Sequence, residues 1–460
     1  MSDSPDSVSE RRPRLATGQG LTTLGKQRAR LRRAARPARP GAWLDAGLEH
    51  RQSNIVHNES IMRRDSLALG VVNASSTFLP VLVARLGGTA FDIGLLTAIP
   101  AAAAVALAIP FGQILQSRSH IVRWYSSSRL LAYLCYAVFG ISIVLIPAPL
   151  VVPVILAVWA LAAVPSTIGS VAFPVVMDGA AGPRGRMELM SLRWSIMGVT
   201  TAISVAVIGQ VLDHLPFIPG YASVFIAFSL GAVASWWFAR RYRVTIHRAD
   251  RSRLSRAQRV RQMIRVVRGQ RPFLEYSVRQ LIYIAGVRLA LPLMPLYLVR
   301  TLGASDAWIG TIAMAQSIAL LIGYLFWSRQ RRAWGRAPVL LATMLVASIY
   351  PALLSVTREV AVVAVLAGAV SVFAAGVDLA LFDELMDRIP RTHGVTFTAI
   401  DTTLVNLATI VTPLTAAVIV ELVDIETALR TATIVALLGV TLFALDVRSG
   451  RPARPRVVRA

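Results

Sequence analysis

The stretch QLIYIAGVRLALPLMPLYLV, Gln280–Val299, decides the fold class and raises the main functional question. It is long enough to cross the ~30 Å hydrocarbon core of a bilayer as a helix, which takes roughly 17–25 apolar residues. Its one charge, Arg288, sits near the centre, nine residues past Arg279 and twelve before Arg300. Comparable charge-poor runs lie on both sides: Ser66–Ala84, Ile93–Ser117, Trp194–Leu212, Leu215–Ala239, Ala307–Ser328, Ala337–Thr357, Val360–Val377 and Thr402–Val420. Leu130–Met177 holds two more, divided at Pro147-Ala-Pro149, where the prolines stop a helix. Thr431–Leu445 is short and is expected to begin near Thr427. The set makes twelve spans, an all-α polytopic membrane protein. Hydrophobic residues form 55% of the chain, outside the range of ordinary soluble domains.

The net charge of +24 follows topology. Thirteen basic residues precede the first span, five arginines follow Asp446, and the connection Arg240–Arg271 has twelve arginines against one acid, Asp250. The opposite side carries only Arg85, Arg300, Arg358 and Arg430. By the positive-inside rule both termini and the central loop are cytoplasmic, which an even number of spans satisfies. The excess then faces the anionic inner leaflet, and nucleic acid is not an expected partner. Arginine dominates because Lys26 is the only lysine, a bias that fits a GC-rich genome.

Five segments follow: a basic disordered tail, 1–54; six spans, 55–239; a linker, 240–274; six spans, 275–446; and a basic tail, 447–460. The pentapeptide Arg-Pro-Ala-Arg-Pro recurs at 36–40 and 451–455 and reads as low-complexity sequence. In the linker, Leu254, Ala257, Val260, Ile264 and Val267 recur at helical spacing among arginines, which predicts a basic amphipathic helix on the inner leaflet. The two six-span segments are related. Pro80-Val-Leu-Val-Ala-Arg85 parallels Pro295-Leu-Tyr-Leu-Val-Arg300, and Leu86-Gly87 parallels Leu302-Gly303. Ile93-Gly94 parallels Ile309-Gly310, and Phe173–Asp178 parallels Phe382–Asp387. Several matches in order argue for duplication of a six-helix unit.

Six plus six spans, a long basic central loop and a Leu-Gly…Ile-Gly link between the first two spans of each half resemble the major facilitator superfamily over about residues 55–446. The resemblance implies two six-helix bundles around a central cavity, lined mainly by the first and fourth helices of each half. A small solute would bind near the midplane and be exposed alternately to each side. The family's loop motif between spans two and three is degraded here: Gly112 is kept, but its acid is lost in Gln116-Ser117-Arg118-Ser119-His120. The second-half loop keeps only Gly335-Arg336, while Pro183-Arg184-Gly185-Arg186 is closer to the family pattern. The glycine-proline motif of drug antiporters is missing from span five, so the subfamily stays open.

Arginine at mid-span costs roughly 2.5–3.5 kcal/mol on insertion scales, so Arg288 must face water or a partner. Its planar fork suits a carboxylate, sulfonate or phosphate, and an inter-helix tie is the alternative. Asn73, Thr77, Ser166 and Tyr283 are the further candidates for binding substrate, with helix packing as the competing role for the hydroxyls. Ser75, Ser76, Thr167, Ser170, Gln316 and Asn406 carry less weight. Asp378, Asp401 and Arg193 are expected at cytoplasmic depth, as an inner gate of cross-bundle ion pairs. Asp378 is also the best carboxylate for proton coupling, ahead of Asp383, Glu384 and Asp92, and the first half offers no mid-span acid.

Catalytic chemistry finds no support. The six histidines are scattered over tails and loops, without metal spacing or a nucleophile motif. No cofactor or metal is expected, and Cys135, alone in the chain, cannot form an intramolecular disulfide. The expected protein is a monomeric secondary transporter of a bacterial inner membrane, moving a small organic anion. The alternatives are a proton-coupled multidrug exporter in which Arg288 is structural, and a receptor or scaffold that transports nothing. Orientation is directly testable. With Cys135→Ser removing the native thiol, a cysteine replacing Asp250 should resist an impermeant maleimide in intact cells and react after lysis; labelling in intact cells would invert the topology.

Overall fold

The computed structural model describes residues 42–116, 118, 120–244, 269–389 and 394–448, with side chains from Asn54 and none at 182–188 or 394–396. The linker helix expected over Leu254–Val267, most of the first tail and the second tail from residue 449 lie outside the described residues. One compact unit begins at Ile55.

Among the described residues, twelve helices are long and apolar enough to cross a membrane. In the first half they are α1 (Asn54–Arg85), α2 (Ala90–Leu115), α3 (Ile121–Leu145), α4 (Ala148–Ala181), α5 (Leu189–His214) and α6 (Phe217–Ala239). In the second they are α7 (Arg271–Thr301), α8 (Asp306–Trp334), α9 (Arg336–Val356), α10 (Val360–Arg388), α11 (Phe397–Leu422) and α12 (Ile425–Arg448). Helices are the required solution, because hydrocarbon offers no partner to a free N–H or C=O. Several run past the uncharged windows of the sequence: α12 starts at Ile425, and α10 continues through Asp378 to Arg388.

Prolines shape α7. It is helical over Arg271–Ala290, breaks, resumes at Leu293–Leu296, and ends in a π-helical turn, Tyr297–Thr301. Pro292 has no N–H for the carbonyl four residues earlier, which belongs to Arg288, so Leu291 N donates to that carbonyl instead at 3.3 Å. The π turn also has a sequence cause. The first half reads Arg85-Leu86-Gly87, the second Arg300-Thr301-Leu302-Gly303. A one-residue insertion in a helix is accommodated by a π turn. Gly87 and Gly303 then take positive φ, 86° and 60°, where a side chain would be strained.

The apolar core shows how the halves are joined. Near Arg85 and Arg300 it is one cluster drawing on both halves, with Leu82, Phe225, Leu296, Tyr297, Ile309 and Ala416 all buried. At the other, arginine-rich end, it divides. Ile61, Tyr125 and Val176 belong to a first-half cluster; Phe273, Tyr276 and Phe443 belong to a second-half one. The molecule is therefore closed at its Arg85 end and split at its basic end.

Within the second half, glycine lets helices meet at backbone distance. A Cβ on Gly286 would lie 2.3 Å from Ala436 N, and one on Gly439 2.6 Å from Tyr283 Cα. Small residues serve this purpose where lipid supplies no hydrophobic drive between helices. Gly286→Ala should therefore cost roughly 1–3 kcal/mol, the range of overpacked cores. Gly198→Ala, which meets nothing within 4 Å, should leave stability unchanged or slightly raised. Thermal unfolding of the purified variants separates the two; equal melting temperatures would contradict the α7–α12 contact.

Candidate functional site: a clamped end and a charged cavity

The closed end is held by an exchange between the two halves. Arg85, ending α1, donates from Nη2 to the carbonyl of Ala304 in the α7–α8 turn at 2.9 Å. Arg300, ending α7, donates from Nη2 to the carbonyl of Gly88 in the α1–α2 turn at 2.7 Å. Gly88 and Ala304 are equivalent in the repeat, each following the Leu-Gly pair. Each half thus caps the other's turn. Asp306 fastens the exchange: its Oδ1 accepts from Arg85 Nη2 at 3.0 Å and from Tyr221 OH of α6 at 2.8 Å. The first turn of α8 suits a carboxylate, because the N-terminal dipole favours negative charge.

Helix packing confirms which end is shut. Gly209 of α5 abuts Gly310 of α8, and Gly94 of α2 abuts the Pro413 carbonyl of α11. Gly198 lies eleven residues before Gly209, three turns lower on nearly the same face of α5. It meets nothing within 4 Å. One face of one helix is in contact at the Arg85 end and open at the basic end.

Above that opening, the second half holds a cavity of about 370 Å³ lined by α7, α8, α9, α10 and α12. Arg288 lines it, partly buried, and its Nε makes no hydrogen bond among the described residues. Tyr283 and Gln316 also line it. So does Asp378, which accepts a hydrogen bond from Tyr324 OH of α8 at 2.9 Å. No carboxylate lies within ion-pair distance of Arg288 among the described residues. A cavity with one free guanidinium, one accessible carboxylate and several hydroxyls can take an anionic group and reserve a second charge for exchange.

The Major Facilitator Superfamily profile matches residues 277–460. The fold agrees across both halves. The nucleoside transporter NupG superposes with a TM-score of 0.69 over 84% of this chain and 99% of its own, at 9% identity. A bacterial homologue of the iron transporter ferroportin, in an inward-facing state, gives 0.65 over 85% and 98%, at 15% identity. A bacterial homologue of the human lysosomal transporter Spinster, inward-facing and unoccupied, gives 0.57 over 90% and 98%, at 11% identity. No curated protein matches the sequence. The family match thus covers the second six-helix half, and the likeness of fold extends over both halves.

Within this fold, the candidate residues divide between the halves. Arg288, Tyr283 and Asp378 share the second-half cavity. Ser166 lines a smaller first-half pocket of about 100 Å³ with Tyr133 and Trp159. Asn73 stands beside it: its Oδ1 accepts from Tyr133 OH at 3.5 Å, and its Nδ2 meets Met197 Sδ at 3.4 Å. Thr77 is half-buried on α1. Asp92 is a cap, accepting from Thr89 N at 2.7 Å at the start of α2.

Arg193 and Asp401 are drawn into their own halves. Arg193 Nη1 bonds Asp65 Oδ2 at 3.2 Å, and Asp65 is held on its other side by Arg129 at 3.0 Å and Ser235 at 2.6 Å. Asp65 is fully buried, and both arginines nearly so. This hub ties α1, α3, α5 and α6. Asp401, buried on α11, faces Gln280 of α7. At equivalent depth in the second half, Asp446 is bound by Arg279 at 3.1 Å and Arg388 at 2.7 Å. The structure does not bring Arg193, Asp378 and Asp401 together.

The clamp was missed in the sequence, where Arg85 and Arg300 read only as sparse outer charge. Their signal was their matched position in the repeat. Replacing both with glutamine removes two charge-assisted bonds while keeping side-chain bulk. With Cys135→Ser and a cysteine at Gln316, an impermeant reagent added on the Arg85 side should label the cavity about tenfold faster in the double variant. An unchanged rate would show that packing alone keeps this end shut.

Proposed function

We propose that the protein is a secondary transporter that moves a small organic anion across a bacterial inner membrane by alternating access, with both termini cytoplasmic. The structure is then inward-facing: the arginine-rich end is the cytoplasmic one, and the cavity is reached from there. The observation that carries the anion reading is Arg288. It is a mid-membrane arginine in a cavity, with a buried Nε that has no hydrogen bond among the described residues. The arginines that tie helices pair with carboxylates, Arg129 and Arg193 with Asp65 and Arg279 and Arg388 with Asp446, whereas Arg288 has none within ion-pair distance among the described residues. An anionic group bound bidentately would supply the missing partner.

Asp378 gives this reading a coupling element. It faces the same cavity on α10 and is held by Tyr324 rather than by Arg288. Protonation of Asp378 would raise the positive potential around Arg288 and favour the anion; release of the proton would favour its departure. Tyr283 and Gln316 would orient the substrate from α7 and α8, while Asn73, Thr77 and Ser166 would meet its far end from the first half. A second reading draws on Asp378 alone: an accessible carboxylate in a largely apolar cavity also suits export of a lipophilic cation.

Arg288 separates the readings. Purified protein would be screened by thermal stabilisation against carboxylates, sulfonates, phosphate esters and lipophilic cations, and stabilising compounds tested for flux in liposomes. Arg288→Lys keeps the charge but loses the fork, so anion affinity should fall about tenfold with folding intact. Arg288→Ala should abolish anion binding and flux. Undiminished anion affinity in Arg288→Ala, or stabilisation only by cations, would overturn the anion reading.

A further inference from the structure

A second basic site lies away from the transport cavity, where α3 begins and α6 ends. There, a groove of about 780 Å³ is lined by Arg123 and Ser127 of α3 and by Trp236, Arg240 and Arg241 at the end of α6. No carboxylate lines it, and among the described residues none of the three arginines has an ion-pair partner. The N-cap of α3, His120, also lines the groove and makes no side-chain cap bond, so the helix end adds its own positive dipole.

The arginines are held in position. Arg240 lies 3.9 Å from the ring centre of Trp237 and 4.5 Å from that of Trp236, and Arg241 lies 4.5 Å from Trp237. Guanidinium–indole stacking of this kind fixes the cation while leaving its in-plane N–H donors free. Tryptophans at the end of a membrane helix mark the headgroup level. The groove therefore sits where a bilayer presents its phosphates.

Exposed apolar residues continue from the groove towards the membrane centre. On α3, Leu131 and Val138 follow Ser127 at helical spacing, and on α6, Leu230 and Val233 precede Trp237 at helical spacing. Leu131 and Leu230 are 63% and 66% exposed, which is lipid-facing surface in a spanning helix. Phosphate recognition at one end and an acyl-chain track at the other describe a phospholipid, whereas a soluble phosphate would use only the first.

We propose that this groove binds the phosphate headgroup of an anionic phospholipid, with the acyl chains lying on the exposed faces of α3 and α6. The site rests on the protein's being membrane-embedded and is independent of what the central cavity transports. Bound lipid would bridge the first turn of α3 to the last turn of α6 and brace the first half at its basic end.

A local reporter is needed, because the rest of the chain is also basic. In the full chain with Cys135→Ser, the test uses Ser127→Cys in the groove and, separately, Ser328→Cys on the exposed end of α8 as reference. Maleimide modification rates are compared in nanodiscs of phosphatidylcholine alone and with phosphatidylglycerol added. Phosphatidylglycerol should slow the groove cysteine, relative to the reference, by about fivefold or more. Arg123→Gln, Arg240→Gln and Arg241→Gln together should remove that protection. Equal slowing at both cysteines, or protection that survives the triple variant, overturns the site. Equal protection by millimolar inorganic phosphate in phosphatidylcholine discs overturns the lipid assignment. Should the triple variant fail to fold, Arg123→Glu, a single exposed change in the first turn of α3, must itself reduce the protection; retention would again overturn the proposal.

Discussion

The crossed exchange of Arg85 and Arg300 for each other's turn carbonyls is the contact on which the arrangement of the two halves depends. It follows from the duplication. Two copies of a helix ending in arginine, each followed by a Leu-Gly turn with an outward carbonyl, are self-complementary once related by a pseudo-two-fold axis. Neither half needs a specialised partner surface. The glycine at positive φ turns each chain so that the next carbonyl points away from its own helix. The inserted Thr301 would have rotated that carbonyl out of reach, and the π turn at Tyr297–Thr301 absorbs it. Asp306 and Tyr221 break the symmetry by adding a carboxylate on one side only.

Closing one end with polar contacts leaves the interior charges to be satisfied locally. The hubs at Asp65 and Asp446 do so with arginines from neighbouring helices of the same half. Breaking such a buried pair typically costs 3–5 kcal/mol, so each half resists internal rearrangement. Arg288 is handled differently. It has no carboxylate within ion-pair distance among the described residues, and it lines a cavity shared with Asp378 instead of a direct partner. That contrast within one molecule distinguishes a fastening arginine from one available to a ligand.

Spans and fold were legible in the sequence because they rest on long-range averages: hydropathy over twenty residues and order across two hundred. Local depth was harder to read. Counting from the uncharged window of α10 sets Asp378 at the inner edge of the hydrocarbon, whereas the helix runs on to Arg388 and brings Asp378 into the Arg288 cavity. Asp65 and Arg129 sit at window edges, so they read as ordinary boundary charges. Their pairing across sixty-four residues depends on how α1 and α3 meet, which no local pattern encodes. Tyr324 is silent for the same reason: a tyrosine in a membrane helix is unremarkable until an acid faces it.

These connections also bear on how the basic end could close. Arg193 is the one basic-end arginine matched in the repeat by an acid, Asp401, which makes a cross-half pair attractive on sequence grounds. In the structure, however, leaving Asp65 would break a buried ion pair and take the buried Arg193 from its carboxylate, an expensive step for each transport cycle, while Asp65 stayed bound to Arg129 and Ser235. Apart from the Arg85–Asp306 clamp, the contacts that cross between the halves are of another kind. Gly209 on Gly310 and Gly94 on Pro413 are backbone surfaces that can separate without leaving a charge unpaired. Gly198 continues the α5 surface towards the basic end, and Thr402 lies eleven residues from Pro413 on the matching face of α11, exposed. Closure at the basic end can use these same helix faces, pivoting about the middle of α5 and α11 while each hub stays intact. The division is then physical: strong, desolvated charge pairs hold each half rigid, and weak backbone contacts with an exchangeable clamp let the halves move.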